Sequence, residues 1–288
     1  MKAGNHTLRK NLLATLFWVA AWHILAVSVK NPLLLPTPVQ VLRCLGGLMG
    51  TLSFWQTVAI SIGRILLGLV SGVALGSLLA VLTSGSPVVD ALIAPAMTAM
   101  QATPVASFAI LVLIWVDRDF VPVLICGMMV LPVIWSSVAT GIRETDRELL
   151  EMAKVYRLPR GRILSRIYVP SVMPFFRTAC VSALGLGWKA GIAAEVLTVP
   201  KHSIGRMIAD AKLYLLTEEL FASTLMVIVL SLLLQKLMLC LLRASTMPRP
   251  ALRMGTMASF LPASILQWAV ATGVCTSTSM VGRFRVAS

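Results

Sequence analysis

Side chains that could bind a metal or act as nucleophiles are few in this chain and stand far apart. The histidines and cysteines are scattered singly, without a Cys-x-x-Cys pair: His6, His23, His202, Cys44, Cys126, Cys180, Cys240 and Cys275. A metal site or a disulfide framework needs such residues at short, recurring spacings. An enzyme site needs acids, bases and nucleophiles brought together. The sequence therefore predicts no metal site and no catalytic residues in this chain.

The acidic side chain with the most unusual surroundings is Glu195, which lies in a long apolar run. Small residues precede it at intervals of four: Ala179, Ala183, Gly187 and Gly191. This spacing puts them on one helix face, where small side chains let another helix approach closely. A carboxylate there costs about 2.5–3.5 kcal/mol on membrane-insertion scales and is a functional candidate. Two interpretations stay open: a hydrogen bond to a neighbouring helix, or a place on a translocation path with Trp188 and Lys189.

The elements around these residues must be stable in lipid. Of the 288 residues, 58% are hydrophobic and 12% are charged, and the mean hydropathy is +0.88. Soluble domains carry about 25% charged residues, so a water-soluble fold could not cover its surface with this composition. The net charge of +14 comes from basic residues between apolar runs. That placement is typical of the positive-inside rule and not of nucleic-acid binding.

Six apolar runs are long enough to cross a hydrocarbon core of roughly 30 Å, which takes about 20 residues. They cover residues 12–29, 57–83, 91–116, 120–140, 176–199 and 220–242. Prolines interrupt the third and fourth runs and predict bent helices: Pro95, Pro104, Pro122 and Pro132. The second run carries small residues at a spacing of four: Gly68, Gly72, Gly76, Ala80 and Ser84. The predicted fold is an all-α integral membrane protein with about six transmembrane helices.

The basic residues predict how these helices are oriented. Eight lysines and arginines lie between Arg143 and Arg177, more than in any loop on the opposite side. This loop is therefore expected in the cytoplasm together with the N-terminus. No small-residue cleavage site follows the first apolar run, which indicates an uncleaved first span. We expect residues 1–246 to form the membrane domain and residues 247–288 to be a disordered or interfacial tail.

The loop between the fourth and fifth predicted spans, residues 141–175, has a pattern of its own. Residues 148–156 carry apolar side chains at helical spacing: Leu149, Leu150, Ala153 and Tyr156. Asp146 precedes this segment in the position of an N-cap. Residues 157–161 break the helix, and residues 162–169 form a second amphipathic segment with Ile163, Ile167 and Tyr168 on one face. Two short helices meeting at a turn would form a cytoplasmic knob that a partner could bind.

This loop carries a resemblance to a known family. Glu151-Met-Ala153 followed by Ile167-Tyr-Val-Pro170 resembles the "EAA…G…I-x-L-P" loop of the permeases of binding-protein-dependent ABC importers. Other segments are similar to the nitrate/sulfonate/taurine branch: Trp188, Ala193-Ala-Glu-Val-Leu197 and Leu35-Pro-Thr-Pro38. The chain departs from the family pattern at Met152, Arg157 and Val169, where the family has alanine, glycine and leucine. We expect the turn to be made instead at Pro159 and Gly161.

The resemblance implies a mechanism and the parts that it needs. In this family the loop docks on a separate cytoplasmic ATPase, which holds ATP and magnesium, and an extracytoplasmic binding protein delivers the solute. Two permease subunits act together in the bacterial cytoplasmic membrane, here expected as a homodimer. The residues so assigned to ATPase coupling are Glu151, Ala153, Arg157, Leu158, Pro159, Gly161, Ile167 and Pro170. The chain lacks a G-x-x-x-x-G-K-[ST] P-loop, so it is expected to bind no cofactor itself.

The main alternative is an ion-coupled secondary transporter that uses Glu195 as a relay. Many such transporters contain internal repeats, and no convincing repeat relates the two halves of this sequence. The alternative also leaves the 141–175 loop unexplained. The expected function is therefore that of the permease subunit of an ATP-driven importer, with a small anionic or heterocyclic solute. Its expected partners are membrane lipid and other proteins, and it is not expected to bind nucleic acid.

Overall fold

The computed structural model describes residues 3–31 and 33–244 of the chain. The chain divides into two units, residues 1–28 with 246–288 and residues 29–245. Most of helix α1 (Ala3–Val29) lies in the first unit. Its apolar part, Leu13–Val29, extends about 25 Å at 1.5 Å per residue, which is less than a bilayer core of roughly 30 Å. The first span therefore stays a prediction, and the predicted tail, residues 247–288, lies outside the described residues.

The described residues of the second unit form helices joined by turns and loops, without a strand, which confirms the predicted all-α class. Its helices are α2 (Pro38–Met49), α3 (Leu52–Gly85), α4 (Pro87–Ala102), α5 (Val105–Val112), α6 (Val121–Arg143), α7 (Arg147–Val155), α8 (Arg160–Ile163), α9 (Val169–Thr198), α10 (Ile204–Leu213) and α11 (Thr217–Ala244). Four described helices are long and apolar enough to cross a membrane: Leu52–Gly85, Val121–Arg143, Arg160–Thr198 and Thr217–Leu242.

The core of this unit is α6, which packs against both α3 and α9. The glycines of α3 meet backbone oxygens of α6 at matching steps of four, Gly68 at Val123, Gly72 at Gly127 and Gly76 at Leu131. Because both sets of numbers increase together, α3 and α6 run parallel. In α9 the small-residue face is buried as well, since a Cβ on Gly187 would lie 2.9 Å from Cys126 Sγ. The predicted packing role is confirmed for the small residues of α9 and for Gly68, Gly72, Gly76 and Ala80 of α3, whereas Ser84 is exposed and lies outside the contact.

The third predicted span, residues 91–116, is not one bent helix. It consists of α4 and α5, which meet at an angle of 105°. The break has a local cause, because Pro104 has no backbone N–H and disfavours helical geometry in the residue before it. Thr103 accordingly adopts an extended conformation, with ψ at 126°. Since α3 and α6 run parallel, the chain between them must return across the membrane, so α4 and α5 together form a broken span.

The second predicted segment of the loop, residues 162–169, is also different from expectation. It is not a separate helix but part of a continuous helical stretch, Arg160–Thr198, which includes the fifth span. A π-helical turn, Leu164–Tyr168, joins α8 to α9, and the Val169 N–H donates to the Leu164 carbonyl five residues back. Pro170 follows this turn and has no N–H to donate to Arg166, which explains the wider turn at this place.

Candidate functional site

Helix α7 is a short helix that is capped at both ends. The Asp146 carboxylate accepts a hydrogen bond of 2.8 Å from the Glu148 N–H, so the predicted N-cap is confirmed. At the other end the Leu158 N–H donates to the Ala153 carbonyl at 3.0 Å and the Arg157 N–H donates to the Lys154 carbonyl at 3.1 Å. These two bonds define a Schellman C-cap. We call α7 with its two caps, residues 146–158, the knob.

The turn that ends the knob is made by Arg157 itself, which corrects the expectation that Pro159 and Gly161 make it. Arg157 has a φ of 49°, in the left-handed region that glycine adopts most easily. The backbone therefore adopts a conformation that favours glycine, at the position where the family pattern has glycine, although the side chain is an arginine. Pro159 is the N-cap of α8, and Gly161 lies within α8 with no atom near the position of a Cβ.

Arg157→Gly should stabilise the knob, since a non-glycine residue in the left-handed conformation costs about 1–2 kcal/mol. We expect slower amide hydrogen exchange at Leu158 and within α7, by about fivefold or more. Lys154→Gly is the matched control, because it places glycine at a right-handed position in the last turn of α7 and should cost up to about 1 kcal/mol. Equal exchange rates for Arg157→Gly and the unchanged chain would contradict the strain at this turn.

The knob has an apolar stripe that faces away from the rest of the unit. Met152, Val155 and Tyr156 are 47%, 79% and 73% exposed and lie at i, i+3 and i+4. Ala153 is fully buried, and Leu149 and Leu150 are half-buried on the inner face. Tyr156, which the sequence places at helical spacing with Leu149, Leu150 and Ala153, is the C-cap of α7 and lies on the exposed side. An exposed stripe at this spacing is typical of a helix that enters a partner's groove.

The other residues assigned to coupling lie on the knob or just after it. Glu151 is exposed beside the apolar stripe, and Leu158 is half-buried in the C-cap. Ile167 is the buried residue of the π-helical turn, whereas Pro170 is exposed at the start of α9. The structure thus brings Glu151, the apolar stripe and the Arg157 turn together on one projection.

A second polar cluster lies at the opposite end of the unit, where α6 and α10 begin and α9 ends. Glu195 has no exposed surface. Its Oε2 accepts hydrogen bonds from Ser61 Oγ at 2.9 Å and from the Gly205 N–H at 3.1 Å. The Ser61 hydroxyl also accepts from the Ile204 N–H at 2.8 Å. Of the two interpretations of Glu195, the structure supports the hydrogen bond to a neighbouring helix.

An ion pair extends this cluster toward the outside. Arg64 Nη2 lies 2.9 Å from Asp119 Oδ1 and donates to the Lys201 carbonyl at 2.9 Å. Asp119 also accepts from the Lys201 N–H at 3.0 Å. Arg64 Nη1 is 3.9 Å from Glu195 Oε1. Sequence reasoning did not assign Ser61, Asp119 or Gly205 to any site, and the signal that could have found Asp119 is its acidic charge between two spans.

Trp188 and Lys189, the other two residues predicted on a translocation path, lie on different faces of α9. Trp188 is 2% exposed, whereas Lys189 is exposed on a stripe of α9 that repeats every three or four residues: Ser182, Leu186, Lys189, Ala193 and Leu197. The structure does not bring Lys189 to Glu195. A place for these residues on the path stays a prediction.

Comparison with known proteins identifies the family. The family described as binding-protein-dependent transport system inner membrane component matches residues 72–246, more than half of the chain and including the whole knob. The chain belongs to this family. It is the permease subunit of a binding-protein-dependent ABC importer, a multi-pass inner-membrane component with a transport and not a catalytic role. Its system includes an ATPase and a binding protein.

Individual relatives agree with the family. The permease is 27% identical over 236 residues to the taurine transport system permease protein TauC of Escherichia coli, covering 80% of this chain and 85% of the relative. It is 25% identical over 215 residues to the putative aliphatic sulfonates transport permease protein SsuC of Bacillus subtilis, covering 74% and 78%. A bicarbonate transport system permease protein, CmpB of Synechocystis, is 27% identical over 160 residues, covering 55% and 56%.

Proposed function

We propose that the permease imports a small sulfonate-like anion. The supporting observation is that the two relatives named for taurine and for aliphatic sulfonates match this chain over 80% and 74% of its length. The relative named for bicarbonate, also an anion, matches over 55%. A heterocyclic solute is the second candidate, because a formylaminopyrimidine transport permease protein of Halalkalibacterium halodurans is 26% identical over 65% of this chain.

We infer that the knob docks into a groove of the cytoplasmic ATPase, which binds the ATP and magnesium. The exposed stripe of Met152, Val155 and Tyr156 carries this proposal. An apolar stripe on a capped helix, with charged residues around it, is unfavourable in water and fits a hydrophobic groove of a partner. Ala153 is buried, and the chain passes from the knob directly into the helical stretch Arg160–Thr198, so that a displacement of the stripe would reach α9 along the backbone. The loop with the knob would be cytoplasmic, as would the N-terminus.

We also propose that two copies of the permease line the translocation path with the exposed stripe of α9. Lys189 lies on this stripe, near the middle of the predicted fifth span, residues 176–199. A charged side chain facing lipid at that depth would cost about 2.5–3.5 kcal/mol, so an aqueous path or a second subunit is the more stable surrounding. A cation there also suits an anionic solute.

Reconstitution of the permease with its ATPase and its binding protein tests the function. We expect ATP-dependent uptake of radiolabelled taurine or a short alkanesulfonate into vesicles, and no uptake when the ATPase is omitted. Uptake by the purified permease alone would contradict the importer. Uptake of a pyrimidine but not of a sulfonate would replace the proposed solute by the second candidate.

A row of arginines next to the knob predicts that the docking is sensitive to salt. No acidic residue occurs between Met152 and Ala194, and no salt bridge links the exposed Arg162 or Arg166 to a described residue. We expect the Arg162→Gln, Arg166→Gln double variant to bind the ATPase about tenfold more weakly at low salt, with the difference lost at high salt. Binding is measured on vesicles by co-sedimentation. Arg43→Gln, exposed on the opposite side, is the control and should change nothing.

A further inference from the structure

The buried cluster around Glu195 holds the first turn of α10. The N–H groups of Ile204 and Gly205 donate to Ser61 Oγ and to Glu195 Oε2, and the Arg206 N–H donates to Ser203 Oγ at 3.0 Å. The first N–H groups of a helix have no partner within the helix. Here side chains of α3 and α9 supply two of those partners, so α10 is fastened to two spans at its N-terminus. We call Ser61, Glu195 and Gly205 the clasp.

At the clasp, α9 and α10 are in close backbone contact. A Cβ on Gly205 would overlap the Cβ of Glu195 and the backbone of Glu195 and Val196. The two helices therefore touch through backbone at this point, and only glycine fits there. Glu195 itself is fully buried, so its carboxylate is enclosed by protein on every side within this unit.

The connection between α9 and α10 is held in an unusual conformation. Val199 and His202 have φ values of 48° and 47°, although neither is a glycine. Such conformations persist only where the surroundings hold them, and they concentrate at functional sites. Here the Val199 N–H donates to the Glu195 carbonyl at 2.9 Å, and Lys201 is held by Arg64 and Asp119.

The clasp lies at the far end of a packed body of helices that begins just after the knob. Arg160–Thr198 is a continuous helical stretch of 39 residues, about 58 Å long at 1.5 Å per residue. Glycine contacts lock α6 to α3 and α9 along this length. A displacement of the knob that is transmitted along the chain to Arg160 would carry the outer ends of these spans with it, as rigid-body changes do in packed helices. The clasp adds α10 to that body.

Helix α10 forms one wall of a pocket at this outer end. The pocket has a volume of about 500 Å³ and lies between Thr57 of α3 and the segment from Lys201 to Asp210. We propose that Ser61 and Glu195 are positioning residues that make α10 move together with α9. The pocket, which we place at the outer mouth of the translocation path, and the ATPase-facing knob would then change conformation together. The proposal rests on the docking of the knob. By thermodynamic reciprocity, a binding protein arriving at the outer mouth would then be sensed by the ATPase.

The test uses the assembled complex of permease, ATPase and binding protein in vesicles. Ser61→Ala removes the donor to Glu195 and the acceptor of the Ile204 N–H. We expect basal ATPase activity to stay within about twofold, and the stimulation by solute-loaded binding protein to fall at least about fivefold, the lower end of allosteric coupling. Ser71→Ala is the matched control, because its hydroxyl bonds only to the Gly68 carbonyl of its own helix.

Two further variants separate coupling from plain stability. Glu195→Gln keeps an acceptor for the Gly205 N–H and should retain most of the stimulation, whereas Glu195→Ala should lose it. If Ser61→Ala keeps the stimulation ratio, or if its basal and stimulated activities fall in parallel with its melting temperature, the clasp is only a stabilising contact and the proposal is overturned. If the unmodified permease did not assemble with the ATPase, the proposed docking of the knob would be overturned instead.

Discussion

Val155→Glu should abolish assembly of the permease with its ATPase while leaving the permease folded in the membrane. Val155 is 79% exposed, so the change costs the isolated permease little. In the docked state the valine would be buried, which contributes about 1.5–3 kcal/mol, and a glutamate would bring an unpaired charge into an apolar groove. We expect the affinity for the ATPase to fall at least about 100-fold, equivalent to about 3 kcal/mol. Co-purification and ATP-dependent uptake measure the loss.

The control for this experiment is Val155→Thr, which keeps the shape of the side chain and adds one hydroxyl. It should retain assembly and most of the uptake, at equal amounts of permease in the membrane. If Val155→Glu assembled as well as Val155→Thr, the apolar stripe would not be the docking surface. The coupling residues would then have to be sought on the arginine row that contains Arg162 and Arg166.

Features that depend on spacing along one helix could be predicted from the sequence. The glycines of α3 and the small residues of α9 recur every four residues, and close helix packing requires that periodicity. The N-cap of α7 is equally local, since Asp146 lies two residues before Glu148, whose N–H donates the capping hydrogen bond. Such features need no knowledge of the rest of the fold.

Features that depend on distant residues or on backbone geometry could not be predicted. Ser61 is 134 residues from Glu195 and 143 from Ile204, so no spacing within a helix points to the clasp. At Arg157 the absence of the family's glycine suggested another turn, but the C-cap hydrogen bonds of Leu158 and Arg157 retain the left-handed conformation despite the side chain. The sharp break at Thr103 could not be predicted either, because a proline in a membrane helix can bend the helix slightly or interrupt it.

Gly72→Ala should destabilise the permease strongly, because the contact between α3 and α6 has no room for a methyl group. The added Cβ would lie 2.7 Å from the Gly127 carbonyl oxygen and 2.9 Å from the Val130 Cβ. These are backbone and branched atoms that cannot move aside without separating the helices. Overpacking typically costs about 1–3 kcal/mol, and we expect the upper end here, with Gly72→Leu failing to fold. The melting temperature in detergent measures the effect.

Gly63→Ala on the same helix is the matched control for this prediction. Its Cβ would meet no atom within 4 Å, so alanine there should be neutral or stabilise the helix by up to about 1 kcal/mol. The two variants share the same chemical change and the same helix and differ only in what the methyl group meets. Equal melting temperatures for Gly72→Ala and Gly63→Ala would contradict the close approach of α3 and α6. The rigid body that is proposed to link the knob to the clasp would then lose its basis.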